Sequence, residues 1–575
     1  MSRLIRNTCL GLLAGFCAIS ATQSQADNAV VKRFASGQGV GAVGMVDASE
    51  DTEIAGPQAI YTGQDGNIYL LDQVNGRILR FDPKASDRGI SSYELPSELQ
   101  PTDLIVTRSH IMVWDGEVHA LQPRGPEGAA TRGLEEISTR DVDDAFTLSA
   151  FAQMGSQKPD SSVDLLDENT RAAARKAPAR TRQAVASRGQ GPVTIDVVAG
   201  DRPTIAFMEV RRKDETNILV KLKIEVRDRL GATEFLEIDS QGRMYVLVEN
   251  IPPMGKKMAA AFVASFSAQG RLEKIYDIPL SESVALSRRF VTVSPDGDIY
   301  FLRTRKNEVD VLGVGFRTVR SGSMIDGPST SSKIGFPIDE KRKGFVAAVR
   351  PLTRQQVVQT AFAFEGVQWK LSDSAYGPEP DTACTGFNRI RRPGYLIGKV
   401  GQQVRGVPYC WGCHGSLARI GTRIAQGALA GNVCTRNDPR SDVAGVDCSA
   451  FVSAAWGLAQ HFTTKAIPSI TDTVSDVWDM QPGDAFNKPG SHVMLFLRFT
   501  PDRKVEVMEA SPGACNGRVC RNVYPAASLL ARGYTPVRFR SLANETVAQT
   551  TDLNSKQVGL EQAGAGKTKK RSQRR

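Results

Sequence analysis

The sequence predicts a multidomain protein: an all-β N-terminal region of repeated hairpins, followed by an α+β domain near the C-terminus. Three observations lead there. One type of turn-and-strand unit recurs through the first half of the chain. The apolar period changes from strand-like to helix-like after Tyr395. Downstream, Cys448 opens a predicted helix and His492 opens a strongly apolar strand.

At 575 residues the chain is too long for one compact core, because domains usually run to about 100–200 residues. In the first half, Gln64-Asp65-Gly66-Asn67-Ile68-Tyr69 turns into a strand, and Asn75-Gly76-Arg77-Ile78-Leu79 repeats the theme. Asp115-Gly116 separates Ile111–Trp114 from Val118–Leu121. Such Asx-Gly pairs supply the positive φ that tight hairpins need. The unit returns at Ser240–Leu247, Ala268–Leu272 and Pro295–Leu302, each with a Gly ahead of an apolar strand. Recurrence of this kind is the mark of repeat folds, and four-stranded blades of about 40–50 residues use such hairpins. The region 27–375 therefore resembles a β-propeller, with two or three blades legible. Residues 155–192, poor in aromatic and β-branched residues, read as a disordered insert. Residues 376–394 (with Pro378-Glu379-Pro380) read as a linker, and 546–575 as a disordered basic tail.

Residues 1–26 read as a secretory signal: Arg3 and Arg6, a short apolar stretch from Cys9 to Ala21, then Ser24-Gln25-Ala26. No other run is long and apolar enough for a transmembrane helix, so a periplasmic or secreted location is expected. The net charge of +10 is concentrated in 171–188 and in the last nine residues. That fits solvated segments, or attraction to an anionic envelope polymer, rather than nucleic acid, for which no aromatic-basic pattern exists.

Seven cysteines remain after the signal: Cys384, Cys410, Cys413, Cys434, Cys448, Cys515 and Cys520. In an oxidising compartment six would pair and one would be left over. Cys515 with Cys520 is the favoured local pair, since Asn516 and Gly517 permit a tight turn. Cys410-x-x-Cys413 could be a disulfide, a redox pair or half a metal site. With only five histidines and no second Cys-x-x-Cys, no metal is expected.

The chemistry concentrates in 395–545. Leu396, Val400 and Val404 suit a helix, which Val407-Pro408-Tyr409-Cys410-Trp411-Gly412 ends. Gly445-Val446-Asp447-Cys448-Ser449 then starts a second helix expected to run to about His461. A cysteine at a helix N-terminus is biased toward thiolate by the dipole and the orphan N–H groups. Ser491-His492-Val493 begins an apolar strand after Pro482-Gly483-Asp484, and Val505–Ser511 follows it. If those strands pair antiparallel, Glu509 lies near His492 and orients the imidazole.

In order, Tyr409-x-Trp411-Gly412, Asp447-Cys448-Ser449, Pro-Gly-Asp and Ser491-His492-Val493 resemble the NlpC-type cysteine peptidases of bacterial cell walls, over 395–545 only. The resemblance implies a papain-like domain that cleaves peptidoglycan stem peptides, usually after a γ-linked D-glutamate. It implies Cys448 as nucleophile, His492 as base and Glu509 at the third polar position. Tyr409, Trp411, Asp447, Ser449 and Ser491 would shape the substrate pocket, with no cofactor. The sequence departs from the family at Cys413 (second glycine of the Trp-Gly-Gly), at Ala450 (glycine), at Glu509 (commonly His), and by an insertion bearing Cys434. Two alternatives stand beside it: an amidase or acyltransferase acting on another secreted substrate, and a scaffold whose propeller binds an envelope protein partner beside an inactive hydrolase domain.

Overall fold

The computed structural model describes residues 27–47, 51–85, 89–126, 129–142, 151, 180–187, 191–213, 215–253, 255, 258–319, 324–325, 352–378, 381, 384, 389–434, 440–500 and 502–542. The expected signal peptide, the basic tail and most of the proposed insert lie outside these residues.

The N-terminal region is built from antiparallel units of four or five strands. Two of them, Ala59–Thr62 through Ser91–Glu94 and Asp103–Val106 through Thr131–Ile137, join edge to edge through parallel pairing of Ser91–Glu94 with Thr131–Ile137. Arg180–Glu225 and Leu230–Ile278 form two more. The last unit combines strands from both ends of the region. Ala29–Ser36 pairs antiparallel with Glu308–Gly313, so the first strand closes the sheet begun by Val291–Val293 and Ile299–Thr304. An all-β, propeller-like region with five such units among the described residues follows, more than the sequence makes visible. The recurring turn has a physical basis. In one unit Tyr69 Oη donates to Asp65 Oδ2 (3.2 Å); in another Tyr245 Oη donates to Asp239 Oδ2 (2.9 Å). The intervening Gly66 and Gly242 both sit at φ +77°, the left-handed region that glycine enters without steric cost. Acid, glycine and tyrosine thus recur together because the tyrosine ties its strand back to its own turn.

Residues 180–187 and 191–192 do not belong to a disordered insert. Arg180–Ser187 and Gly191–Ala199 form a hairpin, in register from Arg180 opposite Val198 to Ser187 opposite Gly191. The second strand in turn pairs with Ile205–Arg212, so the basic stretch is ordered as the first strand of a consecutive antiparallel meander.

The C-terminal region is a six-stranded antiparallel sheet with one helix buried against it. The strand order is Thr471–Thr473, Thr535–Phe539, Ala485–Lys488, His492–Phe499, Val505–Ser511, Arg518–Tyr524. Helix Cys448–Ala455 buries almost every side chain, its Phe451, Val452 and Ala455 packing with Leu495, Leu497 and Met508 of the sheet. The helix ends at Ala455, short of the expected His461, and Gly457 (φ +68°) turns the chain away.

Two expectations about the start of this region change. Residues 354–366, assigned above to the β region, form a helix with a complete Thr353/Gln356 capping box. Val357, Val358, Ala361 and Phe364 of this helix enter the core around Cys448. The structural unit therefore begins before 395. The expected helix at 396–404 is instead a short 3₁₀ turn, Gly394–Leu396, and a strand, Gln403–Arg405, that pairs with Gln368–Lys370. Gly398 and Gly401, both at positive φ, break the helical period there.

Asp484, from Pro-Gly-Asp, is the tie between early helix and sheet. Its buried carboxylate accepts from Arg354 Nη1 (2.8 Å) and Arg538 Nη2 (2.8 Å). The two regions are also docked on each other. Lys504 pairs with Glu234 (2.7 Å), Arg229 with Asp476 (2.9 Å), and the Ala527 N–H donates to Glu249 (2.9 Å). Ile251 and Leu286 of the β region pack among Val474, Phe486 and Tyr534.

Asp484→Ala leaves two guanidinium groups without their shared carboxylate. It should lower unfolding stability by about 3 kcal/mol in denaturant titration of the full chain. A loss under about 1 kcal/mol would show that the arginines are satisfied by water instead.

Candidate active site

Asp447 sets the start of the central helix. It is the N-cap, with Oδ1 accepting from the Ala450 N–H (2.7 Å) and Oδ2 from the Gly412 N–H (3.1 Å). The Tyr409–Val446 and Cys410–Asn432 bridges hold the Tyr-x-Trp-Gly segment alongside. Cys448, the first helical residue, is buried and is the free cysteine among the described residues. The other six pair as Cys384–Cys434, Cys410–Cys413 and Cys515–Cys520. Cys410-x-x-Cys413 is therefore a disulfide here, and Cys515–Cys520 spans the turn at Asn516 and Gly517, both at positive φ.

The thiol lies within hydrogen-bonding reach of His492. His492 Nε2 is 2.6 Å from Glu509 Oε2. The antiparallel register of Leu495 with Met508, extended back along the strands, sets Glu509 opposite Met494, on the same face as His492. Glu509 Oε1 accepts from Asn522 Nδ2 and Tyr524 Oη, both at 2.8 Å. Burial alone would raise the Glu509 carboxyl, but the hydrogen bonds from His492, Asn522 and Tyr524 hold it below its ordinary value. For His492, burial opposes the charge, yet Glu53, Cys448 and Glu509 together hold the imidazolium well above its usual range. Tyr534 stands edge-on to the ring, at 6.5 Å and 88°.

The resting thiol does not follow the sequence expectation. Burial pushes Cys448 up to about 11, with His492 pulling the other way. Desolvation outweighs the helix terminus because water is shut out of the site.

What shuts it out was not foreseen. A loop of the β region, its ends joined by the Val46–Ala55 bridge, brings Asp51, Thr52 and Glu53 into the cleft. The Asp51 carbonyl oxygen accepts from Cys448 Sγ at 3.3 Å. Asp51 Oδ1 accepts from the Thr464 N–H (2.9 Å) and the Thr464 hydroxyl, and Ser449 Oγ lies 3.3 Å from Oδ2. Thr52 sits beside the Tyr409 hydroxyl. Glu53 Oε1 accepts from Ser511 Oγ (2.8 Å), and ligating atoms of Glu53, His492 and Glu509 lie within 4.8 Å of one another.

Of the pocket residues expected from sequence, Tyr409, Asp447 and Ser449 gather around Cys448. Ser449 Oγ also bonds Asp447 Oδ1 (3.0 Å) and His461 Nε2 (2.6 Å), and His461 stacks on His414 at 5.7 Å. Trp411 is half-buried against the core of the domain. Ser491 contributes through its backbone, closing the turn onto Lys488 that starts the His492 strand. Sequence reading missed Asp51, Glu53, His461, Thr464, Asn522 and Tyr524. Only the last two left a signal, because Asn522-x-Tyr524 alternates along a strand that follows Glu509.

No family profile and no curated protein matches the chain. Among solved structures, a streptogramin B lyase is similar at 10% identity over 49% of this chain and 98% of its own, with a TM-score of 0.20. A member of the DUF4221 family from Bacteroides vulgatus is similar at 9% identity over 52% and 100%, with a TM-score of 0.26. A hydrazine synthase from Kuenenia stuttgartiensis is similar at 11% identity over 44% and 74%, with a TM-score of 0.23. Identities this low bear on fold alone, and TM-scores this low leave the description of the fold to the sheets themselves.

Glu509→Gln removes the charge that favours the imidazolium. A group raised in the folded state stabilises the fold below its unfolded pKa, and that contribution disappears as pH rises through the folded pKa. The variant should therefore lower the His492 midpoint, followed by NMR, by at least about one unit, and lose stability mainly on the acid side. An unmoved midpoint would show that Glu509 does not hold the ring.

Proposed function

We propose that the C-terminal region is an exported papain-like cysteine hydrolase that cleaves amide bonds of peptidoglycan stem peptides. One observation carries this reading: a free thiol at a helix start faces a histidine whose far nitrogen is pinned by a buried carboxylate. That order of groups is the arrangement of thiol acyl transfer. The three disulfides fit an oxidising compartment. Among the described residues no helix is long and apolar enough to cross a membrane. The NlpC-type motifs supply the substrate class.

In the proposed reaction Glu53 leaves the cleft with its loop and His492 releases its extra proton to solvent; the neutral imidazole then takes the Cys448 proton as sulfur attacks the amide carbonyl. Backbone N–H groups at the helix start face the developing oxyanion. His492 then gives the proton to the leaving amine, and water, deprotonated by the same imidazole, hydrolyses the thioester. Glu509 keeps the ring in the orientation both transfers need. The β region would present the domain to an envelope polymer or a protein partner there.

One observation favours a second reading, an amidase or acyltransferase acting on another secreted substrate. The Cys410–Cys413 and Cys384–Cys434 disulfides remodel the chain next to the cleft, where the family has glycine.

Cys448→Ala should abolish release of soluble fragments from purified peptidoglycan by the full chain, with the melting temperature retained. His492→Ala should reduce release by at least about 100-fold. Mass spectrometry of the fragments names the bond. Fragment release that survives Cys448→Ala would remove the assignment, and turnover confined to lipid or protein amides would favour the second reading.

A further inference from the structure

We infer that Asp51-Thr52-Glu53 is a built-in strap that occupies the cleft as a peptide ligand would, so that the enzyme is latent until the strap leaves. The inference rests on the reading of Cys448 as the working thiol, and on three contacts and one backbone conformation.

The first is the placement of a peptide carbonyl. Cys448 Sγ donates to the Asp51 oxygen at 3.3 Å, which sets main chain, not only a side chain, against the nucleophile. The second is a receptor for the Asp51 carboxylate. Thr464 meets it with both N–H and hydroxyl, and Ser449 Oγ approaches its other oxygen. Thr464 is itself fixed, its Oγ1 accepting from the Gly490 N–H (2.8 Å) and its carbonyl from Asn487 Nδ2 (3.1 Å). The third is Glu53, bonded to Ser511 at the far end of the Glu509 strand and facing His492. The fourth is strain: Asp51 holds φ +58°, unusual for a residue with a Cβ and found where surrounding contacts over-determine the backbone.

The strap comes from a different part of the chain than the groups it covers. It belongs to the connection between Ala42–Val43 and Ala59–Thr62, about 400 residues before Cys448, as the separation of 397 between Asp51 and Cys448 records. Cys448, His492 and Glu509 are all buried with it in place, so no substrate amide reaches the sulfur unless Asp51 is displaced. The β region therefore has a role besides carrying the hydrolase: it holds the plug. A partner or polymer that pulled on this loop would open the site without touching the chemistry.

The test is the rate at which iodoacetamide alkylates Cys448 in the full-length protein with its disulfides intact, located by peptide mass spectrometry. Asp51→Gly keeps the positive φ and removes the carboxylate. Asp51→Asn keeps size and removes charge, and Glu53→Gln weakens the other anchor. Losing one hydrogen-bonded charge should speed alkylation by about tenfold or more over wild type. Should Asp51→Gly fail to fold, as judged by circular dichroism, the isosteric Asp51→Asn decides. Rates equal to wild type in the folded Asp51 and Glu53 variants would overturn the strap. Faster alkylation without any release of peptidoglycan fragments would leave the strap standing and count instead against the substrate proposed above.

Discussion

The buried contact between His492 and Glu509 is the constraint around which the C-terminal region is arranged. A carboxylate with no water nearby must have every oxygen satisfied, or its burial would cost several kcal/mol. Here one oxygen takes the imidazole and the other takes Asn522 and Tyr524. Meeting that demand requires three adjacent strands in one register, so the charge pair and the sheet specify each other. The bulge between Phe496 and Arg498 lies beyond the pair and leaves its register intact.

The same arrangement explains the state of the thiol. A helix terminus and an imidazolium both favour thiolate, yet a sulfur without access to water keeps its proton. The deciding factor is not in the C-terminal residues at all, but in a loop contributed by the β region. Fold and site are thus coupled through one covering segment. The docking contacts of Glu234, Glu249 and Arg229 come from the separate Leu230–Ile278 unit and its edge, so more than one sheet of the β region is fixed on the C-terminal residues.

Much of the architecture was legible where a local rule dominates. Asp-Gly turns followed by Tyr marked the β units, since the glycine conformation and the Asp–Tyr hydrogen bond are both short-range. The Asp447 cap and the tight Cys515–Cys520 turn were legible for the same reason. Where reading failed, strand pairing or a backbone conformation outweighed the apparent preference of the residue composition. Arg180–Ser187 looks like a solvated basic stretch and is a strand because Gly191–Ala199 lies beside it. Leu396–Val404 has helical spacing but glycines that forbid the helix. Residues 354–366 carried a capping box that could have been read, and whose core destination could not.

By itself the sequence determined the chemical alphabet of the site: one unpaired thiol at a capped helix start, a histidine opening an apolar strand, and a carboxylate on the next. These follow from residue type and spacing over short stretches. Only the tertiary structure decided that Asn522 and Tyr524 complete the Glu509 shell, that His461 joins Asp447 and Ser449, and that Asp51 closes the cleft. Those contacts span sequence separations as large as 397 residues, and no periodicity or motif encodes which distant loop a folded sheet will bring to a given cysteine.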